Sequence, residues 1–229
     1  MILLKKWENL SNKVANPQVK PYYEILKRKQ FSIFFKRILD IVFSAFLIII
    51  LLPIFLVIGS IIAIQSGFPV FYKQERVTAN SKCFYVLKFR TMVKNADKIG
   101  TLVTVGNDPR ITPIGHFLRK YRLDELPQVF NVFTGDMTFV GTRPEVPQYV
   151  DAYTDEMYAT LLLPAGVTSN ASIYFKDEAE LLDNCDDVFT TYTKEILPEK
   201  MKYNLDYIKN FSLLSDFSTV IKTVFAVFK

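Results

Sequence analysis

Asp124 and Glu125 stand side by side in YRLDELPQVFN (residues 121–131), directly ahead of a Leu-Pro step. Proline is tolerated in a first helical turn because its missing N–H would be unpaired there anyway. The spacing therefore predicts a helix that starts around Asp124–Pro127, runs through QVFNVF and stops at Gly135. Carboxylates at such a start lie near free N–H groups and the positive end of the helix dipole, a place that also holds phosphate. Two readings follow. The pair is an acidic cap, with Asp124 as N-cap and Glu125 in the first turn, or a reactive centre, and the surrounding residues point to both at once.

The surrounding charge bears on the choice. Arg119, Lys120 and Arg122 precede the pair closely, and Arg90, Arg110 and Arg143 fall on loop or strand-end positions. Guanidinium forks bind phosphate in a fixed geometry. Several of them converging on two acids would describe a site for a pyrophosphate substrate and a divalent cation. Mg²⁺ takes one or two carboxylates plus phosphate oxygens, and the remaining acid could attack phosphorus as a nucleophile. Neither a Walker motif nor GxGxxG is present, which disfavours P-loop and Rossmann chemistry. Cys83 and Cys185 have no metal-ligand spacing, and His116 is the single histidine, so zinc chemistry is not expected. His116 reads as a helix-surface residue, and two distant cysteines suit a reducing compartment.

The elements that must position these residues begin with a membrane segment. The chain has 229 residues, half of them hydrophobic, and a formal net charge of +5. Residues 1–37 hold nine Lys and Arg against Glu8 and Glu24. Ahead of an apolar stretch, such a basic leader reads as a membrane-surface segment and not as a nucleic-acid binder. Residues 41–64, IVFSAFLIIILLPIFLVIGSIIAI, carry no charge and are long enough to cross a bilayer. No cleavable signal peptide is expected, because the apolar run begins too late and lacks a small-residue cleavage site. Lys36 and Arg37 precede the run, and Lys73, Arg76, Lys82, Lys88 and Arg90 follow it, so both flanks ask to be cytoplasmic. Pro53 sits at its middle and should break or kink the helix. Each half spans roughly 18 Å, enough to reach the midplane and return. The residues favour a re-entrant helix-break-helix over a kinked span, with Ser44 and Ser60 as candidates to satisfy freed carbonyls.

Beyond the membrane, GFPVFYKQERV and KCFYVLKFRTM flank the turn-like TANS and predict a β-hairpin. A short polar helix is expected over 93–100, a loop over 106–115, and helical pattern over 114–118. TFVGTRPEVPQ (138–148) reads as a strand and a proline-restricted loop, and residues 148–163 and 176–207 as mostly helical. The tail 211–229 has apolar residues at helical spacing. It is either a core helix or one lying in the membrane interface.

Several of these segments, in this order, resemble the bacterial sugar transferases, the monotopic polyprenyl-phosphate phosphoglycosyl transferases. They are KRILD (36–40), PVFYKQERV (69–77), FYVLKFRTM (84–92), NDPRITPIG (107–115) and LDELPQVFNVFTGDMTFVGTRPE (123–145). The resemblance implies transfer of a sugar 1-phosphate from a nucleotide sugar, commonly a UDP-sugar, to polyprenyl (undecaprenyl) phosphate, with release of UMP. It implies Asp124 as nucleophile, forming an aspartyl-phosphosugar, and Glu125 as the support for Mg²⁺. Arg143-Pro144 matches the family's Arg-Pro loop, and Arg76, Lys88, Arg90 and Arg119 become candidates for phosphate or head-group contacts. The implied fold is α+β and mostly helical. It consists of a basic segment (1–35), a re-entrant helix broken at Pro53 (36–66), and a catalytic domain (67–229) with a β-hairpin and interfacial amphipathic helices. The implied location is the cytoplasmic face of the bacterial inner membrane, and a homo-oligomer is left open. This chain departs from the family's pattern in having Leu52-Pro53 where Ser-Pro is common, and Gly141-Thr142-Arg143-Pro144 where Gly-Pro-Arg-Pro is common. LLPAGVTSNASIYFKDE (162–178) replaces the family's usual Arg-Pro-Gly-x-Thr-Gly-Trp segment, which the resemblance implies helps hold the nucleotide sugar. The competing class is a non-catalytic membrane adaptor of a polysaccharide assembly, which would have no need of Asp124, Glu125 and Arg143 together.

Overall fold

Aromatic and aliphatic residues set among lysines at the start of the chain give it one side to bury. The computed structural model describes residues 4–96, 108–176, 178, 185 and 187–227. In it Leu10, Val14 and Val19 are buried ahead of α1 (Lys20–Arg28), which buries Tyr22, Tyr23 and Leu26. Pro21 in its first turn and Lys27 and Arg28 in its last are the residue types those helix ends favour. These side chains join one cluster with Val140, Tyr149, Tyr192, Met201 and Ile208, so the leader packs as part of the domain.

The apolar run forms α2 (Gln30–Ser66), a single helix of 37 residues with Pro53 inside it. The expected interruption is therefore corrected. Helical backbone continues across the proline, which removes one donor without ending the helix. Ser44 does not serve the freed carbonyl, since its hydroxyl donates to Ile41 O at 3.0 Å. Near the start of α2, Arg37 donates to Val132 O at 2.7 Å and Phe133 O at 3.0 Å. Asp40 accepts from Thr138 Oγ1 at 2.6 Å and from Phe139 N at 3.3 Å. Near its end, Phe55, Ile58 and Ile62 pack with Phe89, Leu118 and Val129. Both halves dock on the same small domain. The outward residues Ile49 and Ile64 remain 73% and 85% exposed.

The expected hairpin forms from β1 (Phe71–Thr78) and β2 (Lys82–Phe89) around Ala79–Ser81. Arg76 opposes Phe84, Gln74 opposes Val86 and Tyr72 opposes Lys88. Opposed residues share a face and alternate residues return to it, so Arg76 and Lys88 project from one side. The helix expected over 93–100 lies largely outside the described residues. The helical pattern at 114–118 becomes α3 (Pro113–Lys120), capped by Thr112, whose Oγ1 accepts from Gly115 N at 3.1 Å, with His116 exposed on it.

The single helix expected from Asp124 is replaced by a 3-10 turn, Leu123–Glu125, followed by α4 (Gln128–Thr134). Arg122, in the left-handed region at φ 55, turns the chain into the 3-10 segment, and Pro127 occupies the N-cap position of α4. Gly135 closes α4 as expected, at φ 97. Asn131 ties α4 to β2. Its Oδ1 accepts from Leu87 N at 2.9 Å and its Nδ2 donates to Tyr85 O at 2.8 Å.

The expected strand is β3 (Met137–Val140). After it come α5 (Pro147–Val150), a 3-10 segment (Met157–Leu162) and β4 (Ala165–Thr168), a parallel partner for β3 that the sequence did not reveal. Gly141 N donates to Thr168 O at 3.0 Å and Gly166 N to Thr142 O at 2.8 Å. A Cβ on Gly166 would lie 2.2 Å from Gly141 N and O. Gly166→Ala is therefore expected to push away the loop carrying Arg143 and to destabilise the fold by about 1–3 kcal/mol. A denaturation midpoint equal to wild type would refute the close approach.

The chain ends with α6 (Asn170–Tyr174), α7 (Val188–Thr191), a π turn (Tyr192–Ile196), α8 (Leu197–Lys209) and α9 (Leu213–Val227). α9 is amphipathic in the inverted sense. Its buried side holds Asp216, which accepts from Lys36 Nζ at 2.5 Å and Tyr207 OH at 3.0 Å, and Thr219. Leu214, Phe217 and Phe225 point outward, 84%, 68% and 68% exposed. The mostly helical α+β class stands as expected.

Candidate active site

The carboxylate pair lies on the 3-10 turn between α3 and α4, so neither side chain caps a helix and the cap reading falls. Glu125 Oε1 accepts from Arg143 Nη2 at 2.5 Å and Lys88 Nζ at 3.1 Å, while Oε2 accepts from Arg143 Nη1 at 3.2 Å. This is a forked, charge-assisted grip. Burial alone would push Glu125 up, but Arg143 and then Lys88 outweigh it and hold the carboxyl well below the usual range. Asp124 goes the other way. Burial raises it, the Glu125 charge adds to that, and Lys88, Arg119 and Arg122 only partly oppose. One acid is locked as an ion and its neighbour is kept more basic. That division is a common way for paired carboxylates to take separate roles.

Lys88 reaches Glu125 from β2, and its own pKa is lowered, chiefly by burial. Arg143 arrives on the loop after β3. Arg76 and Pro144 hold that loop, since Arg76 Nη1 donates to Pro144 O at 3.0 Å and Nη2 to Gln74 Oε1 at 2.9 Å. Arg119 donates through Nε to Thr91 Oγ1 at 2.9 Å and acts on Asp124 through its charge. Arg90 is placed elsewhere. Its Nη2 donates to Ser66 O at 2.8 Å, Ser66 Oγ at 2.9 Å and Gly67 O. It serves the carbonyl end of α2, where a cation is favourable, and the expected phosphate contact is corrected. Arg110 pairs with Asp108 at 2.5 Å.

Two features escaped the sequence reading. Behind Arg143, Lys200 Nζ donates to Glu145 Oε1 at 3.1 Å, Glu178 Oε2 at 2.8 Å and Tyr192 OH at 2.7 Å, and Tyr192 OH donates to Glu145 Oε1 at 2.7 Å. Glu145 stands beside Pro144 and could have been noticed; nothing in the sequence couples it to Lys200. The second is the partner of Arg122, noted in the sequence only for its charge: its Nη2 donates to Lys176 O at 3.1 Å. It joins the dyad's turn to the divergent 162–178 segment.

A cavity of about 660 Å³ opens on Glu125 and Arg143. Lys120, Arg122, Lys176 and Glu178 contribute charged wall, and Leu47 and Leu51 of α2 contribute apolar wall. Val167, Thr168 and Ser172 also line it, so the divergent segment borders the site. Among the described residues no group of three or more His, Cys, Asp or Glu could hold a metal by itself. A carboxylate offers about four lone-pair positions, and the three bonds to Glu125 leave one on Oε2. That donor set fits a divalent cation completed by substrate phosphate oxygens.

A family model described as bacterial sugar transferase matches residues 31–229. The chain is 33% identical over 198 residues to the UDP-glucose:undecaprenyl-phosphate glucose-1-phosphate transferase of Escherichia coli (strain K12), covering 84% of this chain and 40% of that protein. It is 34% identical over 195 residues to the UDP-N-acetylgalactosamine-undecaprenyl-phosphate N-acetylgalactosaminephosphotransferase of Aeromonas hydrophila, covering 83% of this chain and 43% of that one. To the exopolysaccharide production protein ExoY of Sinorhizobium fredii (strain NBRC 101917 / NGR234) it is 30% identical over 207 residues, 84% of each. The chain thus spans less than half the length of the first two relatives and most of the third.

Proposed function

Since the chain belongs to the bacterial sugar transferase family, we propose that it transfers a sugar 1-phosphate from a UDP-sugar to polyprenyl phosphate and so initiates a bacterial glycoconjugate. The observation that carries this reading is the division of labour within the dyad: Glu125 ion-paired to Arg143 and Lys88, and Asp124 buried, more basic and bordered by cations. Asp124 attacks the sugar-bearing phosphorus, and the P–O bond to UMP breaks as the acyl-phosphate bond forms. An oxygen of polyprenyl phosphate then attacks the same phosphorus and returns the electron pair to Asp124. Arg143 and Lys88 orient the donor's phosphates and offset charge building on their oxygens. Glu125 would hold Mg²⁺ through its remaining Oε2 lone pair; the ion, when bound, supplies further charge neutralisation.

The membrane arrangement belongs to the same proposal. α2 enters and leaves the cytoplasmic face of the inner membrane as a re-entrant element, bending at Pro53, and α9 lies in the interface with its apolar side down. Docking of both Arg37 and Phe55 on α4 supports the first. The outward Phe217 and Phe225 support the second. Single cysteines placed in residues 4–19 and after 75 are expected to label from the same side of sealed vesicles. Labelling from opposite sides would make α2 a span.

The activity is tested by UMP release from a panel of UDP-sugars with Mg²⁺ and polyprenyl phosphate. Release with at least one sugar is expected; none with any would remove the proposal and favour an adaptor. The donor half-reaction, free of the acceptor's second phosphate ionisation near ~6, should also be bell-shaped in pH. Its rate should rise with pH through a raised Asp124 pKa, because only the anion attacks, and fall where Lys88, lowered by burial, loses its proton. A flat profile across the acid limb would contradict the role of Asp124.

A further inference from the structure

The catalytic residues account for only part of the cavity. Leu47 and Leu51, four residues apart and so on one face of α2, line it together with Thr223 and Ala226 of α9. These are the two helices whose other faces turn apolar side chains outward, Val42, Phe46 and Ile49 on α2 and Phe217, Val224 and Phe225 on α9. Lys36 with Asp216 at 2.5 Å and Thr168 with Thr223 at 2.7 Å pin α9 in place. The cavity therefore reaches from an ion-paired carboxylate to the seam between two helices with outward apolar surfaces.

Resting on the phosphotransfer reading above, we infer that the seam between the first half of α2 and α9 is the portal by which the acceptor's isoprenoid chain enters the cavity from the bilayer. The occupant has to carry an anion at one end and a saturated or olefinic hydrocarbon at the other. The anion matches Arg143, which shares Glu125 with Lys88; the hydrocarbon matches Leu47, Leu51 and Ala226 and gains nothing from the cationic wall at Arg122 and Lys176. A nucleotide sugar is polar throughout and gains little from the leucines, so the two substrates are assigned to different walls of one chamber. The first isoprene units are held by protein, and the rest of the tail stays in lipid.

The test blocks the seam with Leu47→Trp and Ala226→Trp, using Phe46→Ala on the outward face as control. Each blocked variant is expected to raise KM for long-chain polyprenyl phosphate about tenfold or more, the equivalent of about two buried methylenes. Exchange of labelled UMP into UDP-sugar, which needs no acceptor, should stay within about threefold of wild type and reports that the fold is intact. An unchanged acceptor KM with exchange intact in both variants overturns the portal. Loss of exchange in wild type would instead remove the underlying reaction. Should a tryptophan prevent folding, wild-type enzyme photolabelled with a polyprenyl phosphate carrying a diazirine in its second isoprene decides the matter. Adducts within 47–51 or 223–226 support the portal, and adducts confined to other segments overturn it.

Discussion

Asp124→Asn is expected to lower sugar-phosphate transfer by about four orders of magnitude or more, the scale seen when a catalytic nucleophile is removed. An amide oxygen is a poor nucleophile toward phosphorus, and no base in the site can make it a good one. The variant should fold normally. It is isosteric, it ends the repulsion between adjacent carboxylates, and it removes the cost of burying a charge that already raises the Asp124 pKa. Intact mass after incubation with donor alone should show a phosphosugar adduct on wild type and none on the variant. Glu125→Gln should behave differently. It leaves the nucleophile but weakens the fork from Arg143, so a loss of roughly two to three orders is expected, as for one electrostatic partner in a transition state. Equal rates for wild type and Asp124→Asn, or an adduct mapped to another side chain, would overturn the mechanism.

Lys200→Met is expected to destabilise the protein by about 3–5 kcal/mol, the cost of leaving one partner of a buried ion pair behind. The side chains of Lys200 and Glu145 are each only 6% exposed. The ammonium has three donors and uses them on Glu145, Glu178 and Tyr192, so methionine replaces none of its bonds. The pH dependence gives the sign. Burial pushes Glu145 up, but Lys200 and Arg76 outweigh it and the folded carboxyl lies below its ordinary value. In wild type, that contribution is present above the unfolded pKa and lost as pH falls through the folded one. Without Lys200, burial dominates, so the folded pKa should rise above the unfolded value. The variant's deficit should then be largest near neutrality and shrink in mild acid. A deficit independent of pH would reduce the residue to a packing role. Because Glu145 follows Arg143-Pro144 directly, transfer should weaken as well, even where the variant remains folded.

How much of this was legible beforehand depends on the range of the forces involved. The hairpin, the stop at Gly135, the helix at 113–120 and the strand at 137–140 follow from local alternation, turn chemistry and capping, which short windows of sequence contain. The cap reading failed because a left-handed Arg122 and a proline at the N-cap position are backbone outcomes that residue types do not dictate. Arg90 was misplaced for a related reason. A cation near an active-site motif can equally serve the carbonyl end of a helix 23 residues earlier, and only packing chooses between the two.

By itself the sequence determined the chemistry available: an adjacent acid pair, a set of guanidinium and ammonium groups, an uncharged helix long enough to enter a bilayer, and the ordered motifs of one family. Tertiary structure decided which charges meet. It joined Glu125 to Arg143 across 18 residues and to Lys88 across 37, buried Lys200 against Glu145 across 55, and turned the polar side of α9 inward. Electrostatic pairing depends on distance in space and on exclusion of water, and neither quantity exists until the chain has folded.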